Sequence, residues 1–329
     1  MAAFTSIDNP ELYFQVKLYT GNGSTNAITF DGDIDMQPDF LWIKRRDGAD
    51  NHTLFDAVRG VTKAIYSDLT NTEDTLADSL SSFDSNGFTL GADTGSTTVN
   101  ENTETHVAWA WKEASGIFDI VSYTGNGSVR TISHSLSSVV PKFMMFKGRS
   151  VGNTWGVYYG DNTDAIFLDE NSATSDSDTY WNDTSPTTSV FTLSSNTKVN
   201  QDTKTYIGYL FSEVQGYSSI GTYIGNGVEP NFVYTGFTPR WVLRKALQSS
   251  CNWTIFDSKR ETNENDQRIK LNTNDAEAAS SANAIDLVSN GFVCRGTDDD
   301  TNADGNTYIY MAFAESPLVN SNGVPCNAK

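Results

Sequence analysis

"THVAWAWKE", residues 105–113, alternates large and small side chains: Val107, Trp109 and Trp111 fall on one side, Ala108 and Ala110 on the other. A period of two is the mark of a β-strand whose large residues face a core and whose small residues leave room for a second layer. The pattern returns as "TYIGYLFSE" at 205–213 and "TYIYMAFAE" at 307–315, so the closing glutamates Glu113, Glu213 and Glu315 stand 100 and 102 residues apart. A repeat of that length is domain-sized rather than a solenoid turn.

Other segments keep the same spacing. "LYTGNGS" (18–24), "SYTGNGS" (122–128) and "TYIGNGV" (222–228) open the repeats. A single Gly-Asn-Gly-Ser invites a phosphate-loop reading, but three evenly spaced copies read as architecture, and no helix follows that would aim its N-terminus at an anion. Asn-Gly between apolar runs predicts a hairpin with a type I′ turn. A proline-led strand follows: "PDFLWIKRR" from Pro38, "PKFMMFKGR" from Pro141 and "PRWVLRKA" from Pro239. Next come "HTLFDAVR", "NTWGVYYG" and "NWTIFDSKR", then "SNGFTL" (85–90), "SVFTLS" (189–194) and "SNGFVC" (289–294).

Most runs are short, β-branched or aromatic, and bounded by Gly, Asn, Asp or Pro. The predicted fold is mainly β: three tandem antiparallel β-sandwich- or barrel-like domains carrying short helical inserts. The expected boundaries are a leader at 1–15, domains at 16–113, 114–216 and 217–317, and a polar tail at 318–329. Thr70-x-x-Glu73 and Asn274-x-x-Glu277 have capping-box spacing and predict short helices near 74–80 and 275–282. The second repeat has only "ENSATSDSDTYWN" (170–182) at that place.

The 329 residues carry a net charge of −19, which argues against nucleic acid as a partner and favours cations. Neither a transmembrane run nor a signal peptide is visible, so no membrane insertion is expected. Cys251, Cys294 and Cys326 form no metal-like spacing and read as reduced structural thiols, although Cys251 and Cys294 lie in one predicted domain and pairing stays open.

Candidates for chemistry are few. His106 occupies the strand column of Tyr206 and Tyr308, and His52 and His134 stand apart from one another in the repeat. No nucleophile elbow is present, so no catalytic residue is assigned and the chain is read as non-enzymatic. "DTNADG" (300–305) fits the first half of a calcium loop, with Asp300, Asn302 and Asp304 as oxygen ligands; its twelfth position is Met311 instead of Glu. Basic residues recur after the proline strand, and Arg45, Arg149 and Arg244 are the candidate contacts for an anionic ligand; internal ion pairing is the plainer reading. Asp56/Arg59 and Asp257/Arg260 share a spacing. Trp155 and Trp253 share a column and read as core, whereas Trp181, in the polar stretch "DTYWNDTSP", is the aromatic expected to be exposed for a ligand.

"YTGNGS", "WNDTSPTTSVF", "YIGYLFSE", "FDSKR", "SNGF" and "YIYMAFAE" together resemble a family of repeat-containing virion proteins of tailed phages, especially marine and cyanobacterial ones, described as tail-fibre-like or structural. The resemblance spans about 16–317 and implies a non-enzymatic virion component exposed on the particle. The implied role is a fibre- or spike-like appendage touching host surface polysaccharide or adjoining virion proteins, as a homo-oligomer such as a trimer. The alternatives are a capsid decoration or cement protein, a polysaccharide-degrading tail enzyme, and a bacterial adhesin.

Overall fold

The computed structural model describes residues 5–94, 98–248 and 250–326; residues 1–4 of the predicted leader and 327–329 of the predicted tail lie outside these. Antiparallel strands dominate, and among the described residues helix is confined to single turns at Asp178–Trp181 and Thr197–Asn200 and 3-10 turns at Pro10–Leu12 and Ser281–Asn283.

Three larger sheets organise the chain. The first runs, edge to edge, Phe14–Thr20, Thr105–Trp111, Phe40–Arg45, Thr53–Asp56, Lys63–Tyr66 and Asp74–Thr75. The second runs Phe118–Thr124, Thr205–Ser212, Pro141–Gly148 and Gly156–Tyr158. The third runs Ser218–Ile224, Thr307–Pro317, Phe237–Ala246, Thr254–Asp257, Gln267–Lys270 and Ala278–Ala279. In each, the alternating closing strand lies between the opening strand and the proline-led strand, so both its backbone edges are paired and both its faces are buried.

Each face of the closing strand has its own neighbour. The small-residue face packs under a small companion sheet: Ala108 and Ala110 share a cluster with Ile28, Leu80 and Phe88. The companion strands are Asn26–Ile28 with Gly87–Leu90, Arg130–Ser133 with Val190–Leu193, and Asn231–Tyr234 with Gly291–Cys294. The large-residue faces of all three sheets enter one common cluster that holds Val107, Trp109, Trp111, Ile207, Tyr209, Phe211, Ile309, Met311 and Phe313. At its centre Trp111, Phe211 and Phe313 touch pairwise, with ring centroids 6.0, 5.7 and 5.9 Å apart. The large residues that mark each closing strand as buried therefore bury against one another.

Two local expectations are corrected. The segments near 74–80 and 275–282 are not helices: they hold the short strands Asp74–Thr75 and Ala278–Ala279, turns, and the 3-10 turn at Ser281–Asn283. Glu73 and Glu277 do not cap; their carboxylates are held by Arg149 and Arg46, and their N–H groups donate to the Arg149 and Arg46 carbonyls at 2.9 Å. An α-helical turn forms instead in the insert of the second repeat, where Ser177 accepts the Thr179 N–H as a side-chain cap.

The Gly-Asn-Gly turns are not two-residue hairpins either. The strand before the second turn, Phe118–Thr124, pairs with Thr205–Ser212, and the strand after it, Arg130–Ser133, pairs with Val190–Leu193. The turn thus carries the chain from the large sheet to the companion sheet. A distant asparagine fixes it: Asn200 accepts the Asn126 N–H at 3.0 Å and donates to Ser128 O and Ser194 O, both at 2.7 Å. Asn100 and Asn302 repeat the first two of these contacts at the other two turns. A Cβ on Gly125 would collide with the Gln201 carbonyl, so this glycine serves close approach; Gly127, at φ 66°, supplies the left-handed residue. Asn200→Ala strands these buried groups and is expected to cost about 2–3 kcal/mol in chemical denaturation. A loss within error of zero would contradict the anchoring role.

Candidate functional site

The sequence-derived candidates do not converge. Arg45 pairs with Asp47 and Asp50 at 2.9 Å each and contacts Glu104. Arg149 clamps both Glu73 oxygens at 2.8 and 3.2 Å. Arg244 is fully buried on the companion-sheet side, donating to Asn283 O at 2.7 Å and Thr301 Oγ1 at 2.8 Å and stacking on Phe256. None of the three guanidinium groups is left open to an anion.

Trp181 is 1% exposed, contrary to the expectation of an accessible ring. Its helical turn rotates it inward against Phe146 and Tyr158, and its indole N–H donates to Asp164 O at 2.9 Å, while the polar neighbours stay outside. The calcium loop is likewise turned to internal use. Asp300 accepts from Asn252 N at 2.7 Å, Asn302 anchors the third Gly-Asn-Gly turn, and Asp304 packs beside Gly227. Among the described residues no three His, Cys, Asp or Glu side chains gather as metal ligands. Cys251 and Cys294 are not joined in a disulfide; the first bonds Asp299 O and the second faces Arg244.

What the polar residues build is a set of ties between sheets. Glu73 N donates to Arg149 O, Thr174 N to Leu247 O and Glu277 N to Arg46 O, at 2.9 Å each, joining first to second, second to third and third to first. Trp155 Nε1 donates to Tyr66 O and Trp253 Nε1 to Phe167 O, both at 2.8 Å. His52 completes the column: its Nδ1 accepts from Trp42, so its Nε2 carries the proton offered to Lys270 O at 2.9 Å. Trp155 and Trp253 are fully buried, as their shared column suggested. The buried pairs Asp56–Arg59 and Asp257–Arg260 are bound across sheets as well, by Tyr209 Oη at 2.6 Å and Trp109 Nε1 at 3.0 Å.

Burial leaves electrostatic signatures along these ties. Lys44, Lys147 and Lys245 are buried, hydrogen-bonded to backbone carbonyls, and pushed down to about 8 by desolvation. Asp68 and Asp169 are pushed up to about 6 by the same cause. Each accepts the N–H of the ring residue in the shared column, His52 or Trp155; in the third sheet Asn272 makes that bond to Trp253. A carboxyl whose folded pKa is raised contributes full stability below its unfolded value, and loses it as the pH climbs through about 6. Asp169→Asn, with the geometry of Asn272, is therefore expected to raise stability at pH 7.5 by roughly 2 kcal/mol and to change little at pH 4. Thermal melts at the two pH values check this; an equal effect at both would contradict it.

Four exposed apolar residues of the third repeat break the pattern. Ile224, Val228, Phe232 and Tyr234 are 67%, 60%, 48% and 60% exposed. The equivalent positions hold Thr124, Ser128, Thr131 and Ser133 in the second repeat and Thr20, Ser24, Ala27 and Thr29 in the first. At these columns the third repeat exposes aliphatic and aromatic side chains where the other two repeats carry small or polar ones. Sequence reasoning missed it, although comparing the three copies column by column contained the signal.

The chain belongs to the family described as a domain of unknown function, DUF7483, whose model matches residues 9–317. No curated protein matches it. Among the described residues, no helix is long and apolar enough to cross a membrane.

Proposed function

We propose that this chain is a surface-exposed structural protein of a tailed-phage virion that works by binding, not catalysis. In this reading it is built from three tandem β-repeats of about 100 residues. The observation that carries it is the exposed row Ile224, Val228, Phe232 and Tyr234, set on a framework whose charged groups are used to lock the sheets together. A rigid body with one unshielded contact face suits attachment to a host surface glycan. The aliphatic half of the row favours a second reading, docking on an adjoining virion subunit as a decoration protein.

Among the described residues the other two repeats carry no such set at these columns, so avidity must come from several chains on the particle and not from the repeats within one. A homo-oligomer supplies this, although three sheets ringed by one chain already provide the arrangement a trimer would give. Immunogold labelling of intact particles with antibody to the purified chain tests the assignment. Labelled particle surfaces are expected; a chain found only in the lysate and on no particle overturns it.

A further inference from the structure

A cleft of about 380 Å³ opens where the third sheet meets the end of the second. Its walls are Glu213 and Gln215, then Tyr234, and the chain segment at Leu318 and Val319, with Thr5 below. Thr5 is buried and its hydroxyl bonds Gln215 O at 2.8 Å, which fixes the floor.

The corresponding corner between the first and second sheets carries two carboxyl groups. There Asp119 accepts Ser135 N at 2.6 Å and sits beside Glu113, whose carboxyl is pushed up to about 7 by burial and by Asp119. In the third sheet the counterpart of Asp119 is Ser219, whose hydroxyl turns to Tyr310 Oη at 3.1 Å, and the counterpart of Ser135 is Gly236. Two losses follow: the buried carboxylate and the serine side chain. Glu213 is left exposed, with no hydrogen bond or ion pair among the described residues.

Tyr234 borders the space this opens. Its phenol end lies 3.5 Å from where a Cβ on Gly236 would stand, so the glycine leaves room beside the ring, which is 60% exposed. Ser133 and Thr29 fill its position elsewhere, so the framework does not require an aromatic.

We propose that this cleft binds a neutral saccharide ring, with Tyr234 stacking on its C–H face and Glu213 and Gln215 bonding its hydroxyls. The proposal rests on the host-glycan reading above. A pyranose offers one apolar face and a polar rim, and the cleft offers one ring, one carboxylate and one amide to match them. Its volume is at the small end for ligand sites, the size of one or two rings. The free carboxylate and the net charge of −19 repel phosphate, sulfate and uronate ligands, which selects neutral sugars.

The test uses the full chain, with saturation-transfer NMR and titration against methyl β-D-galactopyranoside, methyl α-D-glucopyranoside, methyl α-D-mannopyranoside and N-acetyl-D-glucosamine, and with an array of bacterial polysaccharides. At least one saccharide is expected to bind. Tyr234→Ser, which installs the residue of the second repeat, weakens that binding about tenfold or more without moving the melting temperature; Glu213→Gln weakens it several-fold. Binding that survives both substitutions overturns the cleft while leaving the glycan reading standing. A silent panel together with a silent array overturns both.

Discussion

Trp111→Ala is expected to destabilise the whole chain by about 3–5 kcal/mol, near the top of the range for a single core truncation. Trp111 is 1% exposed and touches rings from all three sheets: Phe14 at 4.8 Å, Phe40 at 5.3 Å, Trp241 at 5.7 Å, and Phe211 and Phe313. Alanine leaves a cavity lined by large, interlocked rings that cannot collapse into it, so the cavity adds to the lost transfer energy. Trp111→Phe should behave differently. The buried indole N–H has no acceptor, and phenylalanine is the residue at both equivalent positions, so the lost volume is offset by removal of an unsatisfied donor. The phenylalanine variant is expected within about 1.5 kcal/mol of the parent. Guanidinium denaturation followed by fluorescence and circular dichroism measures both. An alanine variant less than about 1 kcal/mol below the parent would show that the sheets do not depend on this contact.

Asp257→Ala is the second large effect, also about 3–5 kcal/mol, because it removes the nearer of the two carboxylates that compensate a buried guanidinium. Asp257 is fully buried and accepts four donors: Arg260 Nε at 2.6 Å, Arg260 N at 2.8 Å, Lys259 N at 3.1 Å and Trp109 Nε1 at 3.0 Å. Trp109 belongs to the first sheet, so the carboxylate joins two sheets. Arg260 also holds Glu277 at 3.0 Å, and Glu277 holds Arg46 at 2.8 Å, so the loss reaches the second tie between the same sheets. Arg260→Met in the Asp257→Ala background should recover part of the loss, since the under-compensated buried charge and not the missing bond dominates the cost. A double variant no better than the single one would place the cost in Trp109 and the backbone donors instead.

The strands themselves were legible because a period of two is written in the residues: Val107, Trp109 and Trp111 against Ala108 and Ala110. That alternation says that both faces are covered but not by what, and so it left open that three large-residue faces cover one another. The Gly-Asn-Gly turns were recognised as architecture, yet their pairing was not, since the group that fixes Asn126 is Asn200, far away in the chain. Glu73 and Glu277 mimicked capping residues because a spacing of three carries no information about a partner arginine in another sheet. Trp181 was misread from its polar neighbours; one helical turn separates the side that carries Tyr180 and Trp181 from the side that carries Asp178 and Asn182. The arginine candidates failed for a related reason: a charged residue in sequence does not show whether its counter-ion lies inside the fold. The exposed row of the third repeat was open to reading, since Ile224 and Tyr234 stand where Thr124 and Ser133 serve.

Differential scanning calorimetry of the intact chain tests the shared core most directly. Three sheets that bury their large faces against one another should melt as one unit, with a single transition and a calorimetric enthalpy equal to the van't Hoff enthalpy. Two or three resolved transitions, or a van't Hoff enthalpy near a third of the calorimetric one, would mean that each repeat holds its own core and that the contact of Trp111, Phe211 and Phe313 does not bind them together.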